Sequence, residues 1–131
     1  MFVFLSTSEI QFLQAKYPDD IFVIIDSRIK NKEDLISFYS ISINSPYSDD
    51  NWDGLEDALM ELSWLQNSYV RIVHYELPIL PKQELNTYLS ILRNVDSIWS
   101  TSRIVAKNSS FQGCNGVIVY FNIELLCEIL D

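Results

Sequence analysis

The fold of this chain is decided by the stretch from Tyr47 to Trp64, which reads YSDDNWDGLEDALMELSW. With about 3.6 residues per helical turn, its apolar and acidic residues separate onto opposite sides of one helix. The apolar side carries Trp52, Leu55, Ala58, Leu59 and Leu62, and the outer side carries Asp53, Glu56, Asp57 and Met60. Asn51 is the predicted N-cap, and we expect the helix to run to about Leu65. The pattern indicates an acidic surface helix, although an ordinary solvated helix face has the same pattern.

Apolar runs on both sides of this helix predict strands separated by further helices. The strands are expected at residues 2–5, 21–25, 70–75 and 116–121, and the run at 21–25 lacks alternation, as in a strand buried on both faces. The helices are expected at 9–16, after the N-cap Asn31, at 82–99, and from the cap Asn122 to Leu130. Residues 100–116 look mostly like loop, with 103–107 as a candidate extended segment. Strands joined through helices form parallel sheets, so we expect a small α/β domain.

Length, charge and cysteine content narrow the class of protein. The 131 residues suit one domain, and a net charge of −9 disfavours nucleic acid and anionic membranes and favours a basic protein partner. The first apolar run stops at Leu5 without a basic segment before it, and no run approaches membrane-spanning length, so we expect a soluble cytoplasmic protein. Cys114 and Cys127 are expected to be reduced, mostly buried thiols.

The case for an enzyme depends on a group of carboxylates. These are Asp49, Asp50, Asp53, Glu56, Asp57 and Glu61, which suggest a divalent-cation site or an acid/base pair. His74 is the only histidine and lies in an apolar run, which favours a hydrogen-bonded structural role. No phosphate-binding glycine loop and no nucleophile motif is present. We therefore expect no catalytic residue, no metal and no cofactor, and keep a metal-dependent hydrolase as a weaker alternative.

A family resemblance adds to this interpretation. Tyr47, followed by Asn51-Trp-Asp-Gly-Leu-Glu-Asp-Ala-Leu59, resembles the signature of the barstar family, in which a tyrosine precedes an acidic helix. Members of that family are intracellular inhibitors of secreted ribonucleases related to barnase, with a three-stranded parallel sheet flanked by helices. The resemblance implies a family core at about residues 21–121 of a single domain 1–131. A strand and helix before that core would extend the sheet or cover its face, and a short helix would follow it.

The resemblance also implies roles for individual residues. Tyr47 matches the loop tyrosine that packs on the enzyme, Asp53 and Asp57 match the two helix aspartates that meet its basic groups, and Asn51 matches the structural asparagine at the helix start. Glu56 stands where barstar has a contacting tryptophan, so the aromatic contact at this position is missing here. For a further acidic contact of barstar, Lys82 stands near the position and Glu84 is a loose substitute.

The sequence thus predicts an inhibitor or immunity protein, monomeric when free, that blocks a basic secreted ribonuclease or nuclease toxin. The predicted partner-binding residues are Tyr47, Asp50, Asp53, Gly54, Glu56, Asp57 and Met60. The main alternative is an interaction or immunity protein for another toxin class that uses the same acidic face. For the segment 122–130, packing against the core is favoured over a dimer contact.

Overall fold

The computed structural model describes residues 1–47, 50–106 and 113–130, with the backbone alone for 102–106 and 130. The strands are β1 (Val3–Leu5), β2 (Ile21–Ile25), β3 (Tyr69–His74) and β4 (Gly116–Asn122). The helices are α1 (Thr7–Lys16), α2 (Lys32–Ser42), α3 (Trp52–Glu61), α4 (Lys82–Ala106) and α5 (Leu126–Leu130), with a short 3-10 helix (Ile123–Leu125) before α5. None of the helices in these ranges is both long and apolar enough to cross a bilayer.

The strands form one parallel sheet in the order β1-β4-β3-β2, which confirms the predicted α/β class. The predicted count of three strands is one too few, because β1 joins the sheet beside β4, with Val3 opposite Tyr120 and Leu5 opposite Asn122. Pairing gives the backbone groups of this short strand hydrogen-bond partners that they would otherwise seek in water. The N-terminal strand therefore extends the sheet.

One face of the sheet, here called the main face, builds the larger core. Side chains at alternate positions of each strand point to it, among them Val23, Ile72 and Val119, and α2, α3 and α4 cover them. The helix residues Leu35, Leu59 and Leu92 are fully buried there. The predicted apolar positions of α4 all lie in this core: Tyr88, Leu89, Leu92, Val95 and Trp99. Ile129 is 2% exposed and packs there too, in line with the packing role expected of the C-terminal segment.

The opposite face, here called the second face, is covered by α1. Ser6 caps this helix by accepting a hydrogen bond from the Glu9 N–H, while the Glu9 carboxylate accepts one from the Ser6 N–H. Ile10 and Leu13 of α1 pack on Val73 and Tyr120. The N-terminal extension therefore supplies both an edge strand and the cover of the second face.

An ion pair that the sequence analysis did not anticipate lies under the end of α1. Arg71 of β3 points to the second face and is 5% exposed. Its Nε donates to Asp20 Oδ2 at 2.7 Å, its Nη1 donates to the Tyr120 hydroxyl, and its guanidinium carbon lies 3.5 Å from the centre of the Tyr17 ring. Asp20 Oδ1 also accepts from the Tyr69 N–H at 3.1 Å. The arginine is thus neutralised and stacked within the fold.

Three local expectations were wrong. Residues 21–25 form β2 as predicted, but β2 is the edge strand of the sheet, so Ile21, Phe22 and Ile24 are only half-buried. The helix expected to end near Trp99 continues to Ala106, so residues 100–106 are helical; residues 107–112 lie outside the described part. Cys114 is buried as expected, whereas Cys127 is exposed because it lies on the outer side of α5.

Candidate functional site

The acidic helix α3 begins at a well-formed cap. Asn51 has extended backbone angles, and its Oδ1 accepts a hydrogen bond from the Gly54 N–H at 2.7 Å. This bond satisfies one of the donors that a helix start leaves free, and Asp53 in the first turn complements the positive end of the helix dipole. The structural role expected of Asn51 is confirmed as a cap, and the cap fixes the orientation of the acidic residues that follow.

The inner side of α3 is locked into the main core. Leu55 and Leu59 are buried, and the Trp99 indole N–H of α4 donates to the Leu59 carbonyl at 2.7 Å. The helix ends at Glu61 rather than near Leu65, because Leu62 takes a left-handed conformation, with φ of 45°, and is itself fully buried. This turn places Trp64 beside α2, where its indole N–H donates to the Ile43 carbonyl at 2.9 Å.

The outer side of α3 carries the predicted carboxylates. Asp53 and Asp57 are exposed one turn apart, and neither makes a hydrogen bond or an ion pair with a described residue. Asp50, just before the cap, is also exposed. Glu56 is half-buried, because the Asn94 amide of α4 reaches its carboxylate at 3.4 Å. The outer side therefore presents the exposed carboxylates of Asp53 and Asp57, while the Glu56 carboxylate contacts α4.

Two other predicted contact residues of α3, Gly54 and Met60, are not fully exposed. Gly54 is buried at the start of α3, and Met60 is half-buried and packs against the main core. Met60 was expected on the outer side, but it lies at the boundary between the two sides of the helix, where a flexible apolar side chain covers core residues. The exposed part of the acidic surface is therefore narrower than the sequence implied.

Tyr47 lies in the loop before α3 and is 45% exposed. Its hydroxyl donates to Glu61 Oε2 at 3.1 Å, and its ring meets the Trp64 ring edge-on at 5.7 Å between centroids. Contacts with the end of α3 thus hold the loop tyrosine, which stays partly exposed to solvent. The neighbouring residues 48 and 49 lie outside the described part.

A groove of about 370 Å³ separates α3 from α4 beside the acidic side chains. Trp52, Asp53 and Glu56 line it from α3. From α4 it is lined by Asn86, Thr87, Ser90, Ile91 and Asn94, which the sequence analysis did not single out. Three of these polar residues recur every four positions, and that spacing was the available signal. Neither Lys82 nor Glu84 is among the residues that line the groove.

Comparison with known proteins agrees with this geometry. The family model described as "Barstar (barnase inhibitor)" matches residues 20–110, well over half of the chain. The chain belongs to the barstar family. No curated protein and no solved structure matches it significantly.

The barstar match covers the whole candidate surface. It contains β2, α2, α3, β3 and the whole of α4, whereas β1, α1 and β4 lie outside it. The family's description names an inhibitor, and members of the barstar family are inhibitors rather than enzymes. The N-terminal strand and helix are therefore additions of this chain to the matched barstar region.

The single histidine of this barstar-family chain is a core residue. His74 is fully buried and its ring stacks on Phe121 at 4.3 Å between centroids. Its Nδ1 lies 2.9 Å from the Tyr120 carbonyl and its Nε2 lies 2.6 Å from the Tyr88 hydroxyl. Burial lowers the pKa of His74 to about 4, and the hydrogen bond to the Tyr120 carbonyl opposes this shift. No solvent or substrate reaches this imidazole, as expected of a structural histidine.

The carboxylates do not converge as metal ligands would. Among the residues that the structure describes, no three His, Cys, Asp or Glu side chains form a group that could hold a metal ion. Asp49, which the hydrolase alternative also used, lies outside them. Asp53 and Asp57 instead point outward along one helix side, which suits charge pairing with another molecule.

Proposed function

We propose that this protein inhibits, or gives its host immunity against, a basic ribonuclease-type toxin by covering the toxin's active site with α3 and the loop before it. One observation carries the proposal: Asp53 and Asp57 are exposed, pair with no residue that the structure describes, and lie on a helix whose other side is locked into the core. We further propose that it acts in the cytoplasm of the cell it protects.

The physical basis is charge mimicry. A ribonuclease cleft that binds RNA presents clustered lysine and arginine side chains, and carboxylates on a helix can meet these groups as phosphates do. The Asn51 cap and the Trp99 bond to the Leu59 carbonyl hold α3 in place before binding. Little conformational entropy is then lost on docking, which favours affinity.

The loop tyrosine supplies aromatic contact area next to the charges. Tyr47 is already oriented by Glu61 and Trp64, so its open ring surface can pack on the partner without reordering. Asp50 lies between Tyr47 and the helix and would add a third carboxylate. Glu56 would contribute from the side of the α4 groove, and Gly54 and Met60 stay predicted contacts at the edge of this surface.

The test is to purify the tagged protein from its native cells and to identify what co-purifies. Wild type is compared with Asp53→Ala/Asp57→Ala and with Glu124→Ala/Glu128→Ala, which removes two exposed carboxylates from the C-terminal segment. We expect a basic nuclease to accompany wild type and the C-terminal variant and to be lost from the α3 variant. A partner retained by the α3 variant would place the interface elsewhere and contradict the proposal.

Asp57→Ala alone should weaken partner binding by at least about 3 kcal/mol, because basic groups of the partner would be left buried and unpaired. The size of this expected loss in binding free energy is taken from barnase and barstar themselves, the type pair of the family. The free energy of unfolding should change by less than about 0.5 kcal/mol, since alanine replaces an exposed helix residue. Calorimetric titration and urea unfolding measure the two quantities. A loss of stability equal to the loss of affinity would contradict a binding role.

One observation favours a second candidate. Glu56, where barstar carries a contacting aromatic residue, is held by Asn94 and offers charge in place of ring surface. A partner other than a barnase relative would suit this difference, for example a toxin of another class with a basic patch. The same co-purification distinguishes the two candidates, because it identifies the partner and its activity can then be assayed on RNA.

A further inference from the structure

A second groove, of about 530 Å³, runs between α2 and the loop that follows it. Ile36 and Ile41 line it from α2, and Tyr47 and Asp50 line it from the loop. Glu33, three residues before Ile36, extends the α2 side towards the start of the helix. The groove thus joins a helix outside the acidic surface to two residues that belong to it.

The part of the loop that leads up to Tyr47 is already held in place in the free protein. The Ser45 N–H donates to the Ser40 carbonyl at 2.9 Å, which ties the loop to the last turns of α2. The Tyr47 N–H donates to the Ser45 hydroxyl at 3.2 Å, and the tyrosine hydroxyl is bonded to Glu61. A ligand entering the groove would therefore not have to order its walls.

The groove exposes apolar surface that the fold does not use. Ile41 is 77% exposed and Tyr47 is 45% exposed. An isolated exposed apolar residue is ordinary, but these two line one concave surface. An aliphatic chain laid along the groove would cover both.

The charges in the groove are all of one sign. Glu33 and Asp50 both line it, and neither carboxylate makes a hydrogen bond or ion pair with a described residue. No lysine or arginine is among the residues that line it. An arginine side chain matches this combination, because its stem is apolar and its planar head donates up to five hydrogen bonds and stacks on aromatic rings.

We propose that this groove binds an arginine side chain of the partner, with the stem on Ile41 and the guanidinium group at Glu33, Asp50 and the Tyr47 ring. The inference rests on the proposed function, since Tyr47 and Asp50 also belong to the acidic surface and one partner would cover both. It extends the interface to α2 and gives the partner an arginine that the α3 aspartates do not engage.

The groove can be tested without the partner. ¹⁵N-labelled full-length protein is titrated with Nα-acetylarginine methylamide and, as an uncharged analogue of the same shape, Nα-acetylcitrulline methylamide. We expect the arginine probe to shift the amide signals of Ser40, Ile41 and Asn44, and the citrulline probe to bind at least about fivefold more weakly. Shifts confined to α3, or equal affinity for both probes, would overturn the proposal.

Variants locate the binding charges. Glu33→Gln/Asp50→Asn should weaken the arginine probe about fivefold at the α2 signals, and Glu124→Gln/Glu128→Gln should leave it unchanged. Thermal unfolding of each variant shows that the fold is kept. An unchanged affinity in the first variant would also overturn the inference. Because no partner is present, this result is independent of co-purification, so a failure of the groove and a failure of the proposed function are distinguishable.

Discussion

At the scale of single residues, burial keeps the imidazole of His74 neutral at pH 7, because it lowers the pKa to about 4. The Tyr120 carbonyl can only accept, so the one proton of the neutral ring lies on Nδ1, and Nε2 accepts from the Tyr88 hydroxyl. The Tyr88 oxygen in turn lies 2.6 Å from the Tyr39 hydroxyl, which donates to it. Burial raises the pKa of both tyrosines and so keeps them protonated. With the neutral imidazole, each donor in this chain of bonds has an acceptor.

This network predicts a loss of stability in mild acid. In the unfolded chain His74 has its ordinary pKa of about 6.5, whereas in the fold its pKa is about 4. The stabilisation is fully present above pH 6.5, and it is lost as the pH falls towards 4, because only the unfolded state then binds the proton. Urea unfolding at pH 7 and pH 4.5 should show a fall of about 2 kcal/mol in the free energy of unfolding from this residue. His74→Gln, which can donate to Tyr120 and accept from Tyr88, should remove that part of the fall. An equal fall in wild type and His74→Gln would contradict this account.

Single residues were predictable where helical periodicity acted alone. Asp53 and Asp57 are exposed as the 3.6-residue spacing requires, and Asn51 caps the helix as its position requires. Met60 and Arg71 were not predictable in this way. Met60 lies at the boundary of the two helix sides, and Arg71 is buried by aromatic rings that come from distant parts of the chain.

At the scale of elements, the ion pair of Arg71 and Asp20 connects the loop between α1 and β2 with strands β3 and β4. Asp20 lies between α1 and β2, Arg71 lies on β3, and Tyr120 on β4 accepts from the arginine. The Tyr17 ring at the end of α1 covers the guanidinium group. Helix α1, which covers the second face, is thus held by apolar packing along its length and by the buried ion pair beneath its C-terminal end.

Breaking this pair from one side should be costly. Asp20→Ala leaves a buried guanidinium group without its carboxylate and should lower the free energy of unfolding by about 3 kcal/mol or more. The neighbouring Asp19→Ala removes an exposed carboxylate that pairs with no described residue, and it should change the free energy of unfolding by less than about 0.5 kcal/mol. Adding Arg71→Met to Asp20→Ala should recover much of the loss, since no buried charge remains. Urea unfolding measures all three, and equal effects of the two aspartate variants would refute the role of the pair.

Elements were predicted well where local signals existed and poorly where tertiary contacts decide. The starts of α2 and α3 follow from the predicted caps Asn31 and Asn51, whereas α1 begins at Thr7, two residues before the expected start, because Ser6 is its cap. The ends of α3 and α4 do not follow from local signals. Leu62 stops α3 in a left-handed conformation that leucine adopts only because its side chain is fully buried, and α4 continues past the position where its apolar spacing ends.

At the scale of the whole molecule, the net charge acts on other molecules, whereas apolar packing holds the fold together. The net charge of −9 surrounds the protein with a negative potential that reaches beyond its surface and attracts a basic partner. The core beneath is apolar, and the one buried cation is paired with Asp20 among the described residues. Salt should therefore act on association more than on folding.

The rate of association with the co-purified partner should fall at least about tenfold between roughly 0.05 M and 0.5 M salt, because the charges of the two proteins are screened. Asp53→Asn/Asp57→Asn should reduce both the rate and its dependence on salt more than Glu124→Gln/Glu128→Gln does, although both remove two charges. Stopped-flow mixing measures the rates. A rate that does not depend on salt would contradict electrostatic attraction of the partner.

The parallel sheet was predictable from the alternation of strands and helices, but the order of the strands was not. Nothing in residues 2–5 indicates which strand they will pair with. β2 is an edge strand because β1 pairs with β4 and not with β2. Strand order depends on how helices share the two faces, and a single sequence leaves that open.

The pairing of β1 with β4 also has a consequence during synthesis on the ribosome. Val3 pairs with Tyr120, so β1 has no neighbouring strand until more than a hundred further residues have been translated. The edge of β3 that β4 will occupy is likewise open until then. Such long-range pairing slows folding and leaves strand edges available to other nascent chains. The sheet is therefore complete only after β4 has left the exit tunnel.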